Sequence, residues 1–172
     1  EYSGGSLGQG LSYAVGAAYA SKPKGRKNKV YCIIGDGECH EGQIWEAAMS
    51  AAQYKLDNLV VIVDCNGLSS EPELLTEFMD ITPLRDKWEA FGWNVRSMTG
   101  DHMWGIVGEL ESIIRPVMLR YDTPTCIRSK TIKGKGVSSW EQGGYHLMYG
   151  GVLKSGVEEW RELLRSKSKV VV

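Results

Sequence analysis

Asp36 and Asn66 stand thirty positions apart, one a carboxylate and one a neutral amide oxygen. Magnesium is usually held by one or two such protein groups, with phosphate oxygens completing a near-octahedral shell. Asp36 would supply the anionic ligand, Asn66 a neutral one, and a backbone carbonyl shortly after Asn66 a third. Gly37 follows Asp36 and has no side chain, so a phosphate could approach its N–H closely. The chemistry these residues suit is a grip on a divalent cation together with a diphosphate.

Each of the two ligands follows a short apolar run: Val30-Tyr31-Cys32-Ile33-Ile34 before Gly35-Asp36-Gly37-Glu38, and Leu59-Val60-Val61-Ile62-Val63 before Asn66. Such runs read as buried strands. Between them, Glu41 to Tyr54 places Ile44, Trp45, Ala48, Ala51 and Ala52 at helical spacing, and Asp57-Asn58 turns the chain. This is a β-α-β unit, and its two strands are expected to lie parallel. Asp36 and Asn66 then meet at the carboxyl edge of the sheet, where open α/β sheets bind ligands.

The rest of the chain extends the same pattern. Leu7 to Ala20 carries small residues on nearly every face and predicts a buried helix. Its glycine-rich entry, Ser3-Gly4-Gly5-Ser6, either suits an anion at the helix N-terminus or simply leads into a core helix. Pro23 to Lys29 is a basic surface turn. Glu71 to Asp80 is polar and irregular, a loop, and Leu84 to Phe91 a short helix stopped at Gly92. Trp93 to Met98 and Thr125 to Ser129 are two further strands. Trp104 to Leu119 is a helix ended or kinked by Pro116. Glycines return from Thr131 to Gly151, marking a long loop. Ser155-Gly156-Val157-Glu158 has the capping-box form and opens a closing helix. Strand–helix alternation throughout predicts an α/β fold with a mostly parallel sheet and helices on both faces.

Bulk properties set the outer limits. A chain of 172 residues is expected to form a single domain, residues 1–172, with a real core. At 42% hydrophobic and 24% charged it has the composition of an ordinary globular protein. The net charge of −1 disfavours nucleic acid or anionic lipid as partner. No apolar run approaches the roughly eighteen residues that cross a bilayer, and no signal-peptide pattern stands at the start; a cytoplasmic, non-membrane protein is expected. Cys32, Cys39, Cys65 and Cys126 form no C-x-x-C pair, so neither a zinc cage nor a disulfide framework is indicated. They are expected to be reduced and mostly buried. The abrupt opening at Glu1-Tyr2-Ser3 gives the expectation of a piece of a longer polypeptide lacking an upstream segment.

Gly35-Asp36-Gly37-Glu38 through Asn66 resembles the cofactor motif of thiamine-diphosphate-dependent enzymes. The flanking sequence is similar to transketolase in particular: Gly5-Ser6-Leu7-Gly8-Gln9-Gly10, Lys55-Leu56-Asp57-Asn58-Leu59, Lys87-Trp88-Glu89-Ala90-Phe91-Gly92-Trp93 and Lys130-Thr131-Ile132-Lys133-Gly134-Lys135-Gly136. The resemblance runs from Ser3 to about Gly136 and implies the pyrophosphate-binding module of that fold. It implies thiamine diphosphate as cofactor, with Mg2+ or another divalent cation such as Ca2+ or Mn2+. On the matching positions, Asp36 and Asn66 are the metal's side-chain ligands and Leu68 the residue giving a backbone carbonyl. Gly37 meets the diphosphate, Gly5 and Leu7 line the thiazolium and aminopyrimidine region, and Lys133 lies near the cofactor in some members. Glu41 matches a glutamate paired across the subunit interface; read without the resemblance, it is equally a helix N-terminal acid favoured by the dipole. His146 is assigned to a family histidine that contacts substrate and diphosphate, although Leu147 stands where the family has glycine, and the competing reading is a surface-loop histidine. Thr99-Gly100-Asp101-His102 departs from the family order, and His102 is left unassigned.

The implied activity is transfer of a two-carbon ketol unit from a ketose phosphate to an aldose phosphate. The family's upstream substrate histidines and the glutamate that activates the aminopyrimidine have no counterpart in these residues. A second subunit carrying the pyrimidine-binding domain is therefore the expected partner, in a dimer of heterodimers acting on sugar phosphates. Two alternatives stay open: a non-catalytic assembly or regulatory homologue, and a transketolase-like enzyme with a different sugar donor.

Overall fold

The computed structural model describes residues 2–22, 28–68, 79–114, 122–136, 138, 141 and 154–168. Its elements in chain order are α1 (Gln9–Ser21), β1 (Val30–Gly35), a 3-10 turn (Gly37–His40), α2 (Gly42–Gln53), β2 (Leu59–Cys65), α3 (Leu84–Ala90), β3 (Asn94–Thr99), α4 (Met103–Ile114), β4 (Thr125–Lys130) and α5 (Lys154–Ser168). The four strands form one sheet in the order β1-β2-β4-β3, every neighbouring pair parallel. The α/β architecture expected from the sequence is present, with helices on both faces.

Side-chain alternation along the strands divides the core into two layers. Cys32, Ile34, Val61, Val63, Val95 and Cys126 point to one face, where α1, α2 and α3 contribute Leu11, Ala18, Ile44, Ala48, Leu84 and Trp88. Val60 and Ile127 point to the other, against Ile113 and Leu110 of α4. The chain steps back from β3 to β4, opposite to its step from β1 to β2, and a right-handed crossover then requires the connecting helix on the opposite face. Arg96 of β3 pairs with Glu109 of α4 and donates to Ser112 Oγ at 2.9 Å, pinning that helix down. On that second face Ile33 of β1 is 73% exposed.

Helix α1 departs from the buried helix that its small residues predict. Leu11, Ala14, Ala18 and Ser21 are buried, but Tyr13, Gly16, Ala17, Tyr19 and Ala20 face outward. The helix packs on α2 and β1 by one side alone, so small side chains reflect close approach there rather than burial all round. Its end is fastened by Asn58, buried, whose Nδ2 donates to Ala18 O at 3.0 Å and Ser21 Oγ at 2.9 Å. Asn58 O in turn accepts from Val30 N at 2.8 Å, so one residue ties α1 to the starts of β1 and β2.

Other expectations need small changes or lie elsewhere. Helix α5 begins at Lys154, which puts Ser155 inside its first turn instead of ahead of it. The loop at 71–78, the basic turn at 23–27, Pro116 and most of the glycine-rich stretch after Gly136 fall outside the described residues. Cys32, Cys39 and Cys126 are buried and Cys65 half-buried, and all four are free thiols. Burial pushes the Cys32 and Cys65 thiols up to about 11.

Candidate functional site

Parallel register brings Gly35, Asp64 and Ser129 side by side at the carboxyl ends of β1, β2 and β4. Asp36 follows immediately and its N–H donates to Asp64 O at 3.0 Å, extending the ladder by one bond. Asp36 is 4% exposed. One carboxylate oxygen accepts from Gly37 N at 3.0 Å and the other from Gly67 N at 2.8 Å. Asp36 thus joins the turn after β1 to the turn after β2, although thirty-one positions separate it from Gly67. Burial raises its carboxyl above the ordinary carboxylate range; the two backbone N–H groups oppose that shift, and nearby Asp64 adds to it.

Asn66 lies in the same cluster. Its Oδ1 accepts from Leu68 N at 2.9 Å, closing an Asx turn, and its Nδ2 donates to Asp64 Oδ2 at 3.1 Å. The other Asp64 oxygen accepts from Thr131 Oγ1, while Thr131 N donates to Cys65 O at 3.4 Å. Asp64 therefore binds the Asn66 amide on one side and the head of the Thr131 to Gly136 segment, which holds Lys133, on the other. Lys133 is half-buried in the turn that follows.

The glycine-rich N-terminal turn reaches the cluster through Glu38. Its Oε1 accepts from Gly8 N at 3.0 Å and its Oε2 from Gly35 N at 2.9 Å. The anion that the N-terminus of α1 invites is thus supplied, at Gly8, by the chain itself. Gly5 and Leu7 precede that contact; both are exposed, and a Cβ added at Gly5 would meet nothing within 4 Å. Gly8 is held at φ +82°, and a Cβ there would stand 3.0 Å from Glu41 Cβ, so the entries of α1 and α2 touch. Glu41 occupies the N-cap position of α2 without a side-chain capping bond and is exposed.

Asp36, Gly37, Asn66 and Leu68 are brought together, with Lys133, Gly5, Leu7 and Glu41 on neighbouring turns. His146 lies outside the described residues. Sequence reasoning did not single out Glu38, Asp64 or Thr131. Glu38 had a signal in its offset of three from Gly35, the reach of a capping-box acid. Asp64 had one in being a carboxylate that ends an otherwise apolar strand run.

The donor set is a carboxylate, an amide oxygen and a nearby backbone carbonyl, all hard oxygens. That composition fits Mg2+, Ca2+ or Mn2+ completed by phosphate oxygens. Among the described residues no group of three or more His, Cys, Asp or Glu gathers into a cage of its own. A buried carboxylate beside a second one also gains from a cation placed against it.

The family model described as "Transketolase, thiamine diphosphate binding domain" matches residues 1–168. Among curated relatives, the chain is 42% identical over 169 residues to one component of the apulose-4-phosphate transketolase of Phocaeicola vulgatus, covering 98% of this chain and 57% of that protein. It is 46% identical over 134 residues to a 6-deoxy-6-sulfo-D-fructose transketolase subunit of a Clostridium species, covering 78% of this chain and 47% of that protein. The chain spans about half the length of these relatives. Among solved structures, transketolase from Campylobacter jejuni superposes with a TM-score of 0.64 at 26% identity, over 96% of this chain and 32% of that one. With sequence, fold and family model in agreement, the chain belongs to the transketolase family and matches its thiamine diphosphate binding domain.

Proposed function

We propose that this chain is the diphosphate-gripping component of a transketolase-type transferase that moves a two-carbon ketol unit from a ketose phosphate to an aldose phosphate. The observation that carries the reading is Asp36, buried at the junction of the β1 and β2 turns, with Asn66 in the same cluster. Asp36 and Asn66 would hold a divalent cation with the Leu68 carbonyl, and Gly37, whose N–H donates to Asp36 Oδ1, would leave the diphosphate room to approach that turn because it has no side chain. Thiamine diphosphate, when bound, supplies the carbanion chemistry. The chain's own part is to fix that cofactor by its charged end and to keep water from the Asp36 carboxylate. Gly5, Leu7 and Lys133 line the approach, and Glu41 faces a partner. That partner is a second subunit with the pyrimidine-binding domain, a reading supported by relatives that are named as transketolase subunits.

The test is titration of thiamine diphosphate with Mg2+ into the protein assembled with its partner, followed by a ketol-transfer assay. Saturable binding and transfer are expected. Asp36→Ala should remove both; an assembly whose activity survives that change would instead be using the chain as a non-catalytic module.

A second reading concerns the donor. The relatives are named for apulose 4-phosphate and 6-deoxy-6-sulfo-D-fructose, so a branched or sulfonated sugar is a specific alternative to the common ketose phosphates. A donor panel assayed on the same assembly separates them by kcat/KM.

A further inference from the structure

Glu38 makes two backbone contacts that belong to different parts of the site. Gly8, the N-cap of α1, donates to one oxygen, and Gly35, the last residue of β1, donates to the other. Both are charge-assisted bonds, about twice as strong as neutral ones. The turn that carries Glu38 is itself fixed. Cys39, the next residue, is 1% exposed, and its carbonyl accepts from Trp45 Nε1 at 2.9 Å.

We infer that Glu38 is a positioning residue: its carboxylate clamps the glycine turn of Gly5 and Leu7 to the Asp36-Gly37 turn, setting the distance between the two ends of the cofactor cradle. The inference rests on the thiamine diphosphate reading. A ligand with a ring system at one end and a diphosphate at the other must meet both turns at once. A pre-set spacing spares such a ligand the ordering cost of bringing them together. A ligand that meets the Asp36 turn alone gains nothing from the clamp.

Glutamine in place of Glu38 keeps the size but offers a single acceptor oxygen, so one of the two N–H groups would face an N–H2 donor. Aspartate keeps the charge but is one methylene short of spanning both. The experiment titrates two probes, thiamine diphosphate and inorganic diphosphate, each with saturating Mg2+, into the assembled protein and its Glu38→Gln and Glu38→Asp variants, read by tryptophan fluorescence. Circular dichroism melts verify that the variants are folded. Expected is a loss of about tenfold or more in thiamine diphosphate affinity in both variants, with inorganic diphosphate affinity changed less than about threefold. Equal losses for the two probes would mean a general loosening of the fold and overturn the clamp, as would unchanged affinity for both. Wild-type protein that binds neither probe would overturn the underlying cofactor reading and the clamp with it. Wild-type binding with variants unaffected sinks the clamp alone.

Discussion

At the scale of single residues, Asp64 settles which way Asn66 presents its amide. An ionised carboxylate only accepts hydrogen bonds, so Asn66 must turn its N–H2 group to Asp64 Oδ2. The amide oxygen is then held on the opposite side, where it already accepts from Leu68 N and keeps a second lone pair. An asparagine at position 64 could donate or accept, and it would leave both Asn66 orientations open. Partners that orient a metal ligand typically cost ten- to a hundredfold in metal affinity when lost. Asp64→Asn is therefore expected to weaken Mg2+-dependent binding of inorganic diphosphate by roughly tenfold, measured by calorimetric titration. The change also removes a like charge beside Asp36, which favours the ionised Asp36 and works in the opposite direction. An affinity equal to or above that of wild type would show that this relief outweighs the lost orientation.

At the scale of elements, the β-α-β unit was legible because its signals are local: two apolar runs, a helical spacing, and turn residues at Asp57-Asn58. The insertion of β4 between β2 and β3 was not, because strand order depends on which neighbours a finished sheet can accept. Nor was the half-exposure of α1, since a helix of small residues carries little amphipathic contrast to show which side is packed. Asp36 and Asn66 stood out by spacing, whereas Glu38 and Asp64 act through backbone atoms of distant turns and left only faint traces. Contact between the entries of α1 and α2 gives a test at this scale. At Gly8 the backbone is left-handed, and an added Cβ would press on Glu41 Cβ at 3.0 Å. Gly8→Ala combines a strained φ with that contact, and a loss of about 1–3 kcal/mol in unfolding free energy is expected. Denaturant melts read the loss directly. Gly5→Ala, with open space around it, should leave stability within about 0.5 kcal/mol.

For the whole molecule, the buried thiols give stability a pH dependence of known sign. Cys32 titrates near 11 in the folded protein against an ordinary value of 9.0, chiefly through burial and also through Glu38. Below pH 9 both folded and unfolded states keep the proton, and stability does not respond. Between about 9 and 11 the folded state holds more protons, so stability falls as pH rises, by at most about 1.4 kcal/mol per pH unit for each such thiol. Thermal melts from pH 8 to 11 should show that decline, and Cys32→Ala should make it shallower. Glu41 concerns assembly instead. It sits at an N-cap, yet its carboxylate caps nothing and is exposed, so the fold of this chain draws little from it. If it meets a partner chain, its value lies in association. Glu41→Gln should then leave the melting of the isolated chain within about 0.5 kcal/mol of wild type. In the assembly, where the charge would be buried against the partner, the same change should weaken association by tenfold or more, since loss of one partner in such a contact costs about 2–5 kcal/mol. Sedimentation velocity over a dilution series measures the second quantity. A variant that associates as tightly as wild type would return Glu41 to an ordinary helix-entry residue.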